Sequence, residues 1–159
     1  MQGDRFRMVQ ILHKDQFADI PKEIRQTACV VPMGMGDENI RVEARHNFHL
    51  GVPEDGKFTS YSFRITAEGK QVIYSGDVRH YSDMGDWLDN CDLLMMETGH
   101  HKASEVCAGL RADQAGVRKI MFVHSGREIL NDYDGAKARA EAAWGEPVII
   151  AEDGNTYTI

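Results

Sequence analysis

Lys70-Gln71-Val72-Ile73-Tyr74-Ser75-Gly76-Asp77 opens a stretch, running to His124, whose reading decides the fold. Three apolar runs lie within it, and each ends in a reactive polar group. The first ends at Asp77. The second, Leu93-Leu94-Met95-Met96, ends at Glu97, with His100 and His101 just beyond. The third, Lys119-Ile120-Met121-Phe122-Val123, ends at His124. Short apolar runs bounded by turn residues read as buried strands. In α/β sheets, ligand-binding and catalytic groups collect beyond the carboxyl ends of such strands. Asp, Glu/His/His and His delivered to one sheet edge are the residue types of a metal-dependent hydrolase.

Composition narrows the alternatives. A chain of 159 residues reads as one domain with room for a real core. A formal net charge of −7 disfavours a broad nucleic-acid footprint, because phosphate binding wants a basic face. Cys29, Cys91 and Cys107 are odd in number and lack a Cys-x-x-Cys spacing, which points to reduced thiols in the cytoplasm, with Cys29 and Cys107 as small core side chains. No run approaches the roughly 20 apolar residues of a membrane span, and no signal-peptide pattern opens the chain.

Outward from the central stretch, residues 1–37 are the least readable segment. Phe6 to Leu12 has the composition of a strand. Asp19 before Pro21 resembles a helix start, predicting a helix to about Cys29, and Pro32, Gly34 and Gly36 mark a break. Asn39 to Phe48 alternates: Ile40, Val42, Ala44 and Phe48 against Arg41, Glu43, Arg45 and Asn47, a strand with one buried face. Tyr61, Phe63 and Ile65 alternate in the same way, and Ala67-Glu68-Gly69 joins them to the Lys70 run as a hairpin.

Beyond Asp77, a loop to Ser82 precedes a short helix capped by Asp83. Helical spacing of Ala103, Val106, Cys107 and Leu110 predicts a helix over Ser104–Gln114, stopped by Gly116. A further helix spans Asp134–Trp144, then a strand Val148–Ala151 and a last short strand Thr156–Ile159. Antiparallel strands followed by β-α alternation predict an α/β (α+β) domain, a mixed β-sheet with helices on one face.

Five pieces in order carry a resemblance: Ser-Tyr-Ser-Phe-Arg-Ile; Val72-Ile73-Tyr74-Ser75-Gly76-Asp77; Asp92-Leu93-Leu94-Met95-Met96-Glu97-Thr98-Gly99-His100; Phe122-Val123-His124; and Ala151-Glu152-Asp153-Gly154. Over roughly residues 39–159 the chain resembles the metallo-β-lactamase superfamily, in its ribonuclease Z and phosphodiesterase-like branch. The resemblance implies one half of an αββα sandwich, with residues 38–159 as the C-terminal half. It implies that Asp77 bridges two metal ions and that His124 is the last metal-binding histidine. It also implies that His100 or His101 helps a leaving oxygen depart, and that a metal-bound hydroxide attacks a phosphodiester, ester or lactam. The cofactor implied is zinc, two ions, with manganese or iron as substitutes. The family's first motif, His-x-His-x-Asp-His, does not occur in this sequence.

Read on its own chemistry, Glu97 suits an orienting partner for a histidine. His100 and His101 are adjacent and cannot share a face; Gly99 favours His100, because glycine allows close backbone approach. His46 and His49 read as structural. Two functions follow. The first is a metal-dependent hydrolase of a small-molecule or nucleotide ester, with part of its metal site supplied from outside this chain. The second is a non-catalytic half-fold. Its face of Ile40, Val42, Phe48, Tyr61, Phe63 and Ile65 would be left uncovered, predicting a homodimer or a complex with a complementary N-terminal half.

Overall fold

The computed structural model describes residues 40–52 and 59–159. The predicted strand at 6–12, the helix to Cys29, Cys29 itself and the break at Pro32, Gly34 and Gly36 lie outside them. The described residues form one six-stranded sheet in the order β1-β2-β3-β4-β5-β6. The strands are β1 Ile40–His46, β2 Tyr61–Ala67, β3 Lys70–Tyr74, β4 Leu93–Glu97, β5 Ile120–Val123 and β6 Ile149–Ile150. Strands β1, β2 and β3 pair antiparallel; β3 to β6 pair parallel. The mixed sheet matches the reading.

The β2–β3 hairpin closes on Glu68 and Gly69, both at positive φ (50° and 74°), the turn geometry that matches strand twist. The three helices are α1 Ala103–Ala112, α2 Arg127–Asn131 and α3 Tyr133–Trp144. A 3-10 stretch, Tyr81–Leu88, links β3 to β4.

All of these pack on one face of the sheet. Register puts Ile73, Leu94 and Ile120 side by side, with Met96 beside Phe122 and Phe122 beside Ile150. They are buried with Met84, Trp87, Val106, Leu110, Ala136 and Ala140. Burying this set is the main favourable term in the fold. Trp87 also lies under two guanidinium groups, Arg45 at 4.4 Å and Arg64 at 4.9 Å, which ties the 3-10 stretch to β1 and β2.

The opposite face carries Val42, Ile65, Val72 and Leu93 in one row and Ala44, Phe63, Tyr74, Met95 and Met121 in the next. Among the described residues no helix covers it. Phe63 is 36% exposed, while Leu93 and Met121 are buried. Phe48 falls beyond the end of β1 and so is not part of this face.

Several boundaries differ from the reading. His80, not Asp83, caps the 3-10 stretch by accepting the Ser82 N–H. Asp83 is turned instead to the Phe48 and Arg79 N–H groups. Helix α1 stops at Ala112, and the left-handed residue after it is Gln114 (φ 52°), with the Ala115 N–H closing on the Leu110 carbonyl. Gly116 serves another purpose: a Cβ there would stand 2.7 Å from the Asn90 nitrogen. Helix α2 was not foreseen. Thr156–Ile159 is not a strand; β6 is two residues long at the sheet edge, and the tail is held through the Tyr157 hydroxyl, which accepts the Glu152 N–H at 2.9 Å.

Candidate metal centre

Strand direction assembles the site. Strands β3, β4 and β5 are parallel, so their carboxyl ends share one edge of the sheet. Asp77 follows β3 by three residues, Glu97 ends β4, and His124 follows β5 directly. β1 is antiparallel to β2, and β2 to β3, so β1 runs the same way as β3. The chain leaving β1 therefore reaches the same edge, and His49 stands there.

His124 Nδ1 lies 2.9 Å from Asp77 Oδ1. Donor atoms of Asp77, Glu97 and His124 fall within 4.8 Å of one another, and so do those of His49, Asp77 and His100. Asp77 belongs to both groups. The His49 and His100 rings are 4.6 Å apart, and His100 and His124 meet edge to face at 5.9 Å. The sequence pattern makes His49 structural; the fold brings it into the cluster. The sequence signal was its spacing, since His49 stands three residues past β1 as Asp77 stands three past β3.

Glu97 is 1% exposed. Its Oε2 accepts the His100 N–H at 2.9 Å, and Oε1 lies 3.0 Å from His100 Nδ1 and 3.4 Å from His101 Nε2. Engaging Nδ1 leaves Nε2 as the remaining nitrogen of His100, the arrangement by which carboxylates orient metal-binding imidazoles. His101 Nε2 lies 2.9 Å from the Val78 carbonyl, so this ring is tied to the backbone. Of the adjacent pair, His100 joins the cluster. Burial pushes the Tyr74 hydroxyl up, and the Asp77 and Glu97 charges add to that shift, a sign of the negative field at this edge.

Close backbone packing sets these positions. A Cβ on Gly99 would stand 2.9 Å from the His124 ring, and one on Gly126 would stand 2.0 Å from the Thr98 carbonyl oxygen. Gly76 (φ 58°) passes so near Tyr61 that a Cβ would meet its carbonyl oxygen at 2.4 Å. His124 itself has φ 49°, a left-handed conformation uncommon outside glycine and often found at functional sites.

Beneath the cluster lies a buried polar knot. Asn47, 1% exposed, accepts the His49 N–H through Oδ1 at 3.1 Å and donates through Nδ2 to Ser62 Oγ at 3.2 Å. Ser62 Oγ donates to the Ser75 carbonyl at 2.6 Å, and Ser75 Oγ accepts the Glu97 N–H at 3.0 Å. The ends of β1, β2, β3 and β4 are thus linked by satisfied hydrogen bonds, which a buried polar group requires.

Imidazole and carboxylate donors held this close fit a divalent ion of borderline softness such as zinc, and manganese or iron as well. No helix among the described residues is long and apolar enough to cross a membrane.

The chain is 28% identical over 104 residues to a ribonuclease Z of Natronomonas pharaonis; the match covers 57% of this chain and 33% of that protein. It is similar in fold to the metallo-beta-lactamase fold protein YhfI from Bacillus subtilis, with TM-score 0.60 and 21% identity over 76% of this chain and 50% of that one. This chain therefore spans about a third of the length of the first and half of the second. The family model for the beta-lactamase superfamily domain matches residues 5–128, starting ahead of the motifs that carry the resemblance; the chain belongs to the metallo-β-lactamase superfamily.

Proposed function

We propose that this chain is a metal-dependent hydrolase of small phosphodiesters or related esters. The single observation that carries the reading is the meeting of His49, Asp77, Glu97, His100 and His124 at one sheet edge, with Asp77 common to both donor groups. Asp77 and His124 would hold a metal ion, as the resemblance implies, and His49 is a further donor beside them. Held there by these residues, a divalent ion would supply activation of a water nucleophile near neutral pH. His100, fixed by Glu97, is positioned to give a proton to the departing oxygen. His101, against the Val78 carbonyl and 3.4 Å from Glu97, is the other candidate for that proton transfer, with its ring engaged by the backbone. Glu97 and the Asn47–Ser62–Ser75 knot keep the imidazoles from turning away. Cys91 and Cys107 are free thiols, in keeping with a cytosolic location.

The test is direct. Purified protein loaded with zinc or manganese hydrolyses bis(4-nitrophenyl) phosphate, and Asp77→Ala abolishes it. His49→Ala lowers bound metal, read by elemental analysis, without unfolding the protein. No turnover with any divalent metal would sink the reading for this chain by itself.

A second reading is favoured by the apolar face of Val42, Phe63, Ile65, Tyr74 and Met95, which no helix among the described residues covers and on which Phe63 is exposed. Apolar patches beyond a few hundred Å² mark interaction surfaces. On this reading the chain pairs through that face, with a second copy or with a complementary half that also completes the metal site. Light scattering tests it; a monodisperse monomer would contradict it.

A further inference from the structure

The chain leaving Asp77 is anchored at every step up to Arg79. The Val78 N–H donates to Glu97 Oε1 at 3.4 Å, and its carbonyl faces His101 Nε2 at 2.9 Å. The Arg79 N–H donates to Asp83 Oδ2 at 3.3 Å, and the Phe48 N–H donates to the same oxygen at 3.2 Å. The Asp83 side chain is only 4% exposed. One buried carboxylate therefore staples the loop that carries His49 to the loop that follows Asp77.

The Arg79 guanidinium lies 5.0 Å over the Phe48 ring, and its side chain is 65% exposed. Phe48 adjoins His49 and Arg79 follows Asp77 by two residues, so this cation belongs to the two loops that carry cluster donors. A guanidinium has five N–H donors in a planar fork that matches phosphate oxygens. Arg45 spends its donors on the Met84 carbonyl and Asp86, and Arg64 on Glu43. Arg127, three residues past His124, has no side-chain hydrogen bond among the described residues, and no aromatic ring among them lies under it. Among the described residues, Arg79 donates no side-chain hydrogen bond; its one ion pair, with Asp83, is long at 3.8 Å. Asp83 Oδ2 takes the two backbone N–H groups, and Oδ1 faces Arg79 Nη2 beyond hydrogen-bond distance. The donors of Arg79 are preorganised by stacking and left idle.

We propose that Arg79 is the specificity residue of this site: its guanidinium, laid on Phe48 at the rim of the Asp77 cluster, takes a non-bridging oxygen of a phosphodiester. The proposal rests on the hydrolase reading and names its substrate class as anionic. With net charge −7 across the chain, the contact suits a single phosphodiester, not a nucleic-acid strand. A neutral ester offers no anionic oxygen for a charge-assisted hydrogen bond there.

The test is calorimetric titration of zinc-loaded protein with diphenyl phosphate, a slowly hydrolysed anionic diester. Arg79→Ala weakens binding about tenfold, the loss expected for one charge-assisted hydrogen bond. Zinc content stays unchanged, and so does hydrolysis of the neutral reporter 4-nitrophenyl acetate. Equal affinity in wild type and Arg79→Ala, or no binding by wild type, would overturn the proposal. A parallel fall in 4-nitrophenyl acetate hydrolysis would also overturn it, since it would mean damage to the centre. If wild type binds diphenyl phosphate through Arg79 yet hydrolyses no diester, the hydrolase reading fails and this assignment stands.

Discussion

The buried carboxylate of Glu97 holds His100 twice, accepting its backbone N–H at 2.9 Å and facing its Nδ1 at 3.0 Å. A carboxylate in that position fixes both the ring plane and the tautomer. Glu97→Gln keeps the shape but supplies an amide that can donate where Glu97 only accepts. We expect metal affinity to fall about 10–100-fold, the usual cost of losing an orienting partner. Competition against a chromogenic chelator measures it, and circular dichroism should show an intact fold.

Asn47 joins the His49 loop to Ser62 beneath the site. Asn47→Ala leaves the His49 N–H and the Ser62 hydroxyl short of a partner in a buried setting. Stability should fall by about 1–3 kcal/mol in urea unfolding. Metal affinity should fall with it, because His49 loses its anchor. A loss of stability with unchanged metal affinity would show that the knot serves the fold alone.

Gly126 lets the loop after His124 cross Thr98. A methyl group there would sit 2.0 Å from the Thr98 carbonyl oxygen, which is backbone and cannot swing aside. Gly126→Ala should therefore cost about 1–3 kcal/mol and displace His124. The Asp77–His124 pairing would loosen, visible as altered imidazole resonances in NMR spectra.

Stability should fall at both extremes of pH. Burial pushes the Cys91 and Cys107 thiols up to about 12 from 9.0. Burial also lifts Tyr81 to about 12 from 10.0, helped by its hydrogen bond to Asp113. Raised values favour folding below the unfolded pKa, and that advantage is lost as pH climbs from 9 towards 12. Asp92 runs the other way: the Gln71 N–H, then Lys70 and Arg118, hold its carboxyl below 3.8. Its contribution is present above 3.8 and lost on acidification through the lowered value. Urea midpoints at about pH 3, 7 and 10.5 should peak at the middle value. The same two thiols should resist alkylation at neutral pH until the protein unfolds.

Asp77, Glu97 and His124 were legible because each closes an apolar run, and a buried strand announces itself by composition. Their convergence followed from β-α alternation, which makes strands parallel and puts their carboxyl ends together. His49 was not legible in the same way. Its arrival depends on β1 running with β3 through two antiparallel pairings, a fact of topology that no local pattern states. The role of Asp83 was missed for a related reason: its partners, Phe48 and Arg79, come from either side of the β2–β3 hairpin, while a cap is the local use of an aspartate. The unfulfilled strand at Thr156–Ile159 had the right composition but no neighbour to pair with beyond the two-residue β6.

The cluster sits on a hydrogen-bonded floor tied into four strands, while its rim is carried by the loops that hold Phe48 and Arg79. Such a division makes the centre conservative and its mouth open to tinkering. Libraries randomised at residues 48 and 79 should yield variants with new preferences and intact folding, whereas diversity introduced at 47, 62 or 75 should return mostly insoluble protein. Evolvability, in this molecule, would be found a few ångströms above the chemistry.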